Sequence, residues 1–425
     1  MTSTRTNRND DDHPRNLKTM LSEAKDTSEL MVDLAYAAVF FNDEQMAREV
    51  EELEELQTEF VHEMREVCVL AARSPREAEG MSGVLQIVSA IERIGNAAVD
   101  IARIVTRRLG IPTALVADLA DAEEVSHRVR IREDSAMAGR TLADLELPTE
   151  VGMSVVAIRR GKEWRIDPDG DDALVGDDVL ILQGAAAGVD ELRQLAGAPE
   201  WSPPTLGEET AVSDLDRAVD AIVEMKNLSE VGVGLAYSAL LYADQGLAAE
   251  VMRLEDHLDE MKERLEVWVL RAAADRLDPS PLRGLLHLGQ AAESLGDSAQ
   301  QMVWLVSAGE ELHPVLAVAL AESDEVIVRV PVAAGSALDD VTLAEADIEM
   351  ETGCYVLALW RAGRYVYQPR PSQRLSVGDE LLATGPEDGR DELARLGGYL
   401  VEEDDETGEI ELVAMGGTAG GAGVS

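Results

Sequence analysis

Glu255 and Asp259 stand four residues apart, and so do Glu293 and Asp297. In a helix four residues is about one turn, so each pair presents two carboxylates on one side. Two such helices lying together can offer four oxygen ligands to one hard cation. His257 falls inside the first pair but on another face and is not counted as a ligand. Earlier in the chain the same two places read Glu54 with Thr58 and Glu92 with Asn96, so that donor set is broken. Nothing basic lies beside Glu293 and Asp297 in AAESLGDSAQ. A chain with 83 acidic residues also produces such pairs on solvated helix faces. There a like-charge pair costs only about 0.2–0.5 kcal/mol, so a bare acidic face competes with a metal site.

The elements that must position these residues occur twice. DLAYAAVFFND returns as GLAYSALLYAD, IERIGNAA as AESLGDSA, and SAMAGRTLADLELPTEVG as SALDDVTLAEADIEMETG. Their starts (33 and 234, 91 and 292, 135 and 336) are separated by the same 201 residues. Residues 17–198 are thus one unit and 218–399 its copy. Each unit opens with apolar residues at helical spacing, as in Leu53, Leu56, Phe60 and Met64. Three helices are expected near 17–42, 44–75 and 80–109, and again near 217–243, 245–276 and 280–309. Each unit then turns to short alternating strands: HRVRI, MSVVAIRR and DVLILQG, then EVIVRV, CYVLALWR and ELLATG. Helices are expected at 135–145 and 188–197, with Ser135 and Ser336 as caps between strand and helix. GAPEWSPPTLGEET, carrying Pro203 and Pro204, reads as a linker. The polar start and the glycine-rich end read as unfolded.

The helical halves resemble PhoU domains, on LAYAAVFFND, EVEELEELQ and IERIGNAAVDIA and their second copies. The strand-rich halves resemble TrkA-C domains, the C-terminal lobes of regulators of potassium conductance. That pattern is carried by Ser135, Thr141, Leu142, Gly152, Arg160, Pro168, Gly176 and Asp177, and in the copy by Ser336, Thr342, Leu343, Gly353, Arg361, Pro369, Gly378 and Asp379. The resemblance implies an α+β chain in which two three-helix PhoU-like bundles (17–110, 217–310) alternate with two small α/β TrkA-C lobes (124–198, 325–399). Unfolded tails (1–16, 400–425) and a linker (199–216) complete it. It implies metal, divalent or ferric, at Glu255, Asp259, Glu293 and Asp297. It also implies a small ligand such as cyclic di-AMP at the lobes. Arg160 and Arg361 suit its phosphates because a guanidinium fork pairs two oxygens, although an exposed hairpin arginine reads the same way. No strand runs into G-x-G-x-x-G, so no NAD is expected. Because both module types pair, the tandem copy implies an internal pseudo-dimer, open to further homo-oligomerisation.

Composition narrows the function. With 37 basic against 83 acidic residues the net charge is −46, which repels nucleic acid and anionic membranes. Only five lysines occur, Lys18, Lys25, Lys162, Lys226 and Lys262, and such an acidic, lysine-poor surface reads as halophilic. Cys68 and Cys354 lie in apolar runs and read as buried thiols of a reducing cytoplasm. The longest weakly charged run, 231–243, is too short to span a bilayer, so any membrane work goes through a partner at the inner face. His287 and His313 read as packing or surface residues, and no Ser–His–Asp, Cys–His or phosphate-loop arrangement marks an enzyme. The favoured reading is a cytoplasmic regulator of a membrane potassium channel or transporter. A phosphate-uptake or phosphate-signalling regulator and a stand-alone small-ligand sensor remain open.

Overall fold

The computed structural model describes residues 16–112, 115, 124–161, 163–166, 168–199, 213–274, 278–310, 312–321, 323, 325–367, 369–403 and 410–415. The expected N-terminal tail up to residue 15, residues 200–212 of the expected linker and the end from 416 lie outside the described residues.

Helices α1 (Leu17–Phe41), α2 (Glu44–Ala71) and α3 (Pro75–Thr106) form the first bundle. Their starts are set by caps. Asn16 accepts from the Thr19 amide, Asp43 from Gln45 and Met46, and Ser74 from Glu77, with Pro75 at the first helical position. Asn42 at φ 48° ends α1 in the left-handed region that asparagine tolerates. The chain then builds strand β1 (Glu124–Arg130), short helices α4 (Leu142–Leu145) and α5 (Leu147–Val151), strands β2 (Met153–Arg160), β3 (Glu163–Ile166) and β4 (Val179–Ala185), and helix α6 (Val189–Leu195). The sheet order is β1-β4-β2-β3, antiparallel throughout.

The second copy repeats this: α7 (Asp214–Leu241), α8 (Gln245–Ala274), α9 (Arg283–Ser307), α10 (Pro314–Ala321), β5 (Glu325–Pro331), α11 (Leu343–Ala346), α12 (Ile348–Thr352), β6 (Tyr355–Arg361), β7 (Arg364–Tyr367), β8 (Glu380–Pro386) and α13 (Glu387–Gly397). Its sheet order is β5-β8-β6-β7. Even the bulges match, one between Val155 and Ala157 and one between Val356 and Ala358.

Four expectations change. The expected helix at 135–145 is two short helices. The first of them is capped by Thr141 rather than Ser135, in a capping box with Asp144 that Thr342 and Glu345 repeat. The serine hydroxyls are buried, and the small Ser135 and Ser336 side chains let the chain pass close at Gly197 and Gly398. Helix α7 starts at Asp214, inside the expected linker. The expected tail from 400 holds a hairpin, β9 (Tyr399–Glu403) with β10 (Ile410–Ala414), because Tyr399, Val401 and Leu412 turn inward onto the second lobe.

The halves meet about an approximate two-fold axis. Helix α3 packs on α9, and the Gln86 amide donates to the Gln301 carbonyl at 3.0 Å. Lys25 stands 5.3 Å above the Tyr237 ring while Lys226 stands 5.3 Å above Tyr36, the same contact made twice in exchange. The lobes meet through α5 and α12. A Cβ at Gly152 would strike the Glu349 carbonyl at 2.8 Å, and one at Gly353 would strike the Pro148 carbonyl at 2.8 Å. Only glycine permits that approach, and φ of +63° and +67° favours glycine at both places. One face of each sheet carries its lobe's own core. The other (Val156, Ala157 and Ile181; Leu357, Ala358 and Leu382) joins the core of the bundles.

Candidate functional site

The second bundle brings Glu255, on α8, to Asp297, on α9, within hydrogen-bonding reach, with Asp259 close enough to repel it. Glu255 is 8% exposed and its Oε2 accepts from Gln300 at 2.6 Å. Burial, then the Asp259 and Asp297 charges, push its carboxyl up to about 7. Glu293 belongs to a different cluster. Lys262 reaches it at 3.2 Å and Gln290 donates to it at 2.7 Å. The sequence reading that nothing basic accompanies Glu293 is therefore corrected: the cation comes from the neighbouring helix α8. Lys262 puts an ammonium where the expected centre needs a vacant carboxylate. Among the described residues no group of three or more His, Cys, Asp or Glu is disposed to hold a metal ion. As arranged, the four carboxylates do not fit the expected centre.

In the first bundle the substitutions close the site further. Thr58 donates to Glu54 at 3.0 Å, and Arg65 pairs with Glu92 at 2.5 Å. Buried Gln57 fills the space over Gly95, where a Cβ would meet its amide at 1.8 Å.

Arg160 and Arg361 also depart from expectation. The Arg160 fork closes on Asp178, with Nε and Nη2 both at 2.8 Å, and Nη2 also donates to the Ala173 carbonyl. Arg361 closes the same way on Asp379, its Nε at 2.6 Å, and caps the Arg374 carbonyl. Asp178 and Asp379 are buried, so each arginine neutralises its lobe's own charge and ties the strand β2 or β6 to the turn before β4 or β8. The two oxygens that a phosphate would bring to each fork are supplied by the protein. Sequence carried this signal, since both copies hold an arginine and an aspartate 18 residues apart.

Sequence reasoning did not find the seam where lobes and bundles meet. There a cavity of about 130 Å³ opens among Glu29, Asp33, Gln183, Glu230, Tyr355 and Thr384. A second, of about 250 Å³, shares five of these and reaches Gly152 and Gly353. Glu29 and Glu230 occupy equivalent positions and are held by Lys25 and Lys226, each at 2.6 Å. Gln183 and Thr384 are likewise equivalent, and Gln183 donates to Asp33 at 2.9 Å. All four modules line the first cavity and three of them the second, so a solute lodged in the first touches both lobes and both bundles. The signal lay in the lysines: two of only five sit one turn before a glutamate at matching positions.

Each lobe is also tied to its bundle. Arg329 donates to Asp244 at 2.9 Å, lies 4.0 Å above the Tyr242 ring, and Tyr365 donates to the same Asp244 at 2.8 Å. The first copy keeps a looser version, with Arg128 3.9 Å from Asp43 and 4.9 Å above Phe41. Cys68 and Cys354 are buried free thiols, and burial pushes the Cys68 thiol up. Among the described residues no helix is long and apolar enough to cross a membrane.

The PhoU domain family matches residues 21–105 and 222–305, and the TrkA-C domain family matches 127–197 and 327–397. Among curated proteins, the Ktr system potassium uptake protein C of Bacillus subtilis (strain 168) is 32% identical over 79 residues. That stretch is 19% of this chain and 36% of the relative, so the chain matches little more than a third of the relative's length. Among solved structures, PhoU from Pseudomonas aeruginosa is 14% identical with a TM-score of 0.37, covering 68% of this chain and 93% of that one. The GsuK RCK domain is 14% identical with a TM-score of 0.18, covering 72% of this chain and 78% of that one.

Proposed function

The chain carries two PhoU domains and two TrkA-C domains in alternation, and on that premise we propose that it is a regulatory protein of cation transport, with potassium the favoured ion, acting on a membrane channel or transporter. The observation that carries this reading is the pair of TrkA-C lobes joined across the two-fold seam, with a cavity beneath them that the bundles close. A small solute in that cavity contacts both halves. Its differential affinity for two lobe arrangements sets how far the equilibrium moves, and the partner reads the result. The arginine ties at Asp43 and Asp244 pass a lobe displacement to its bundle. The likeness to a curated potassium uptake protein supports the choice of ion.

The PhoU domains support a second reading, a regulator of phosphate uptake or phosphate signalling. One experiment separates the two. In a host deleted for the gene, rubidium uptake and phosphate uptake are measured with and without the restored protein. A change in rubidium flux alone supports the first reading, a change in phosphate flux alone replaces it with the second, and neither leaves a sensor without a transport partner. Retention of the protein on membranes holding the affected transporter completes the test.

A further inference from the structure

The outer face of α2 carries an open groove of about 570 Å³, and nothing in the bundle fold requires it. Its floor is Met20, Leu56, Phe60, Val67 and Leu70, of which Leu56 is 49% and Leu70 77% exposed. Positions 56, 60, 67 and 70 fall on one stripe running about four turns, or roughly 20 Å. Glu59, Glu63 and Glu66 rim it, all exposed, and no basic side chain pairs with them among the described residues. The second copy differs at these positions. Leu56, Glu63 and Leu70 become His257, Arg264 and Arg271. The two bundles therefore differ on this face, and the second has basic side chains where the first has Leu70 and Glu63.

We propose that this groove docks a Lys- and Arg-bearing amphipathic helix of a partner protein, apolar face down and cations on the glutamate rim. An apolar stripe of helical spacing is what a helix-in-groove contact reads. Charge selects the occupant. A second copy of this chain brings another −46 and is repelled, whereas a cationic segment is drawn in. Cytoplasmic segments beside membrane spans are rich in Lys and Arg. Assigning the partner to the membrane rests on the transport reading above, but the groove chemistry does not.

The probe is a fluorescent synthetic Leu/Lys helix of about five turns, with a Leu/Glu helix of the same spacing as control, titrated into the full chain by anisotropy. Leu56→Glu with Leu70→Glu, and separately Glu59→Gln with Glu63→Gln, are expected to weaken binding about tenfold or more, while Val267→Glu on the second bundle leaves it unchanged. All these sites are exposed, and circular dichroism melts confirm that the variants stay folded. Equal binding by every variant overturns the proposal, because it reports only attraction to an acidic surface. A tenfold gain on deleting residues 1–15 overturns it in favour of that segment as occupant. A dimer in sedimentation that Leu70→Glu dissolves overturns it in favour of a second copy. Because no transport is measured, failure here leaves the regulatory reading intact, and failure of the flux assay leaves the groove intact.

Discussion

The two bundles share one architecture and have met the same electrostatic problem differently. The first answers its carboxylates on the spot: Thr58 donates to Glu54, Arg65 pairs with Glu92, and Gln57 fills the middle. The second pairs Glu293 with Lys262 but leaves Glu255 buried beside Asp297 and Asp259, with the neutral Gln300 amide donating to it. The lobes above them show no such divergence. The arginine clip, the capping box, the bulge and the close glycine are all present twice. The seam keeps this shared frame but not every side chain, since Gln183 is matched by Thr384 and Asp33 by Gly234. Pairing of the lobes constrains both copies at once, whereas each bundle's outer helices answer only to their own surroundings.

The largest expected effect tests the equality of the lobes. Arg160→Ala and Arg361→Ala each leave a buried aspartate without its cation, a loss on the order of 3 kcal/mol in urea unfolding. The two losses should agree within about 1 kcal/mol, since the clips match; a clear inequality breaks the equivalence. Next comes the tie between lobe and bundle. Arg329→Ala removes bonds to Asp244 and a ring contact and should cost about 1.5–3 kcal/mol. Arg128→Ala, 41% exposed and 3.9 Å from its partner, should cost no more than about 0.5 kcal/mol. Similar values for both would erase the asymmetry.

The contrast between bundles can be read by pH. The Glu255 carboxyl titrates near 7 in the fold and lower in the unfolded chain. The native state holds the extra proton, so its stabilising contribution is complete below the ordinary carboxyl range and is lost as pH rises through about 7. Unfolding at acid-side and alkaline-side pH should show the second bundle weakening upward. Glu255→Gln flattens the profile. The smallest effect concerns metal. With Lys262 in place, manganese or ferric iron should not shift the melt. Lys262→Gln frees Glu293 and should admit a gain of about 1 kcal/mol with metal at roughly five times its dissociation constant, abolished by Asp259→Asn with Asp297→Asn. Metal-dependent stabilisation of the unaltered chain would show that Lys262 yields its place.

Much of the fold was legible because the chain states it twice. A constant offset of 201 residues placed both cassettes, and α2 starts where expected behind Asp43, whereas the Ser74 and Ser213 caps start α3 and α7 ahead of the apolar periodicity that was read. The strands β3 and β7 were missed because four residues, EWRI and RYVY, are too few for alternation to register. The hairpin at 399–414 was hidden by the acids around its turn, which outweigh the few residues it buries. The site was less legible. The carboxylates were found, but their neighbours across the helix gap were not: spacing along one helix reports who shares a face, not that Lys262 or Gln300 arrives from the next helix. Likewise the arginines were noticed for their forks, and the aspartates that fill them lie a whole hairpin away.

The reciprocal contacts of Gly152 with Glu349 and of Gly353 with Pro148 lie within one polypeptide. In a dimer of separate subunits such a seam dissolves on dilution. Here tethering holds the two faces at a high effective concentration that does not depend on how much protein the cell makes. Scarcity therefore cannot part the two lobes, and each lobe's partner across this seam is always the one made with it.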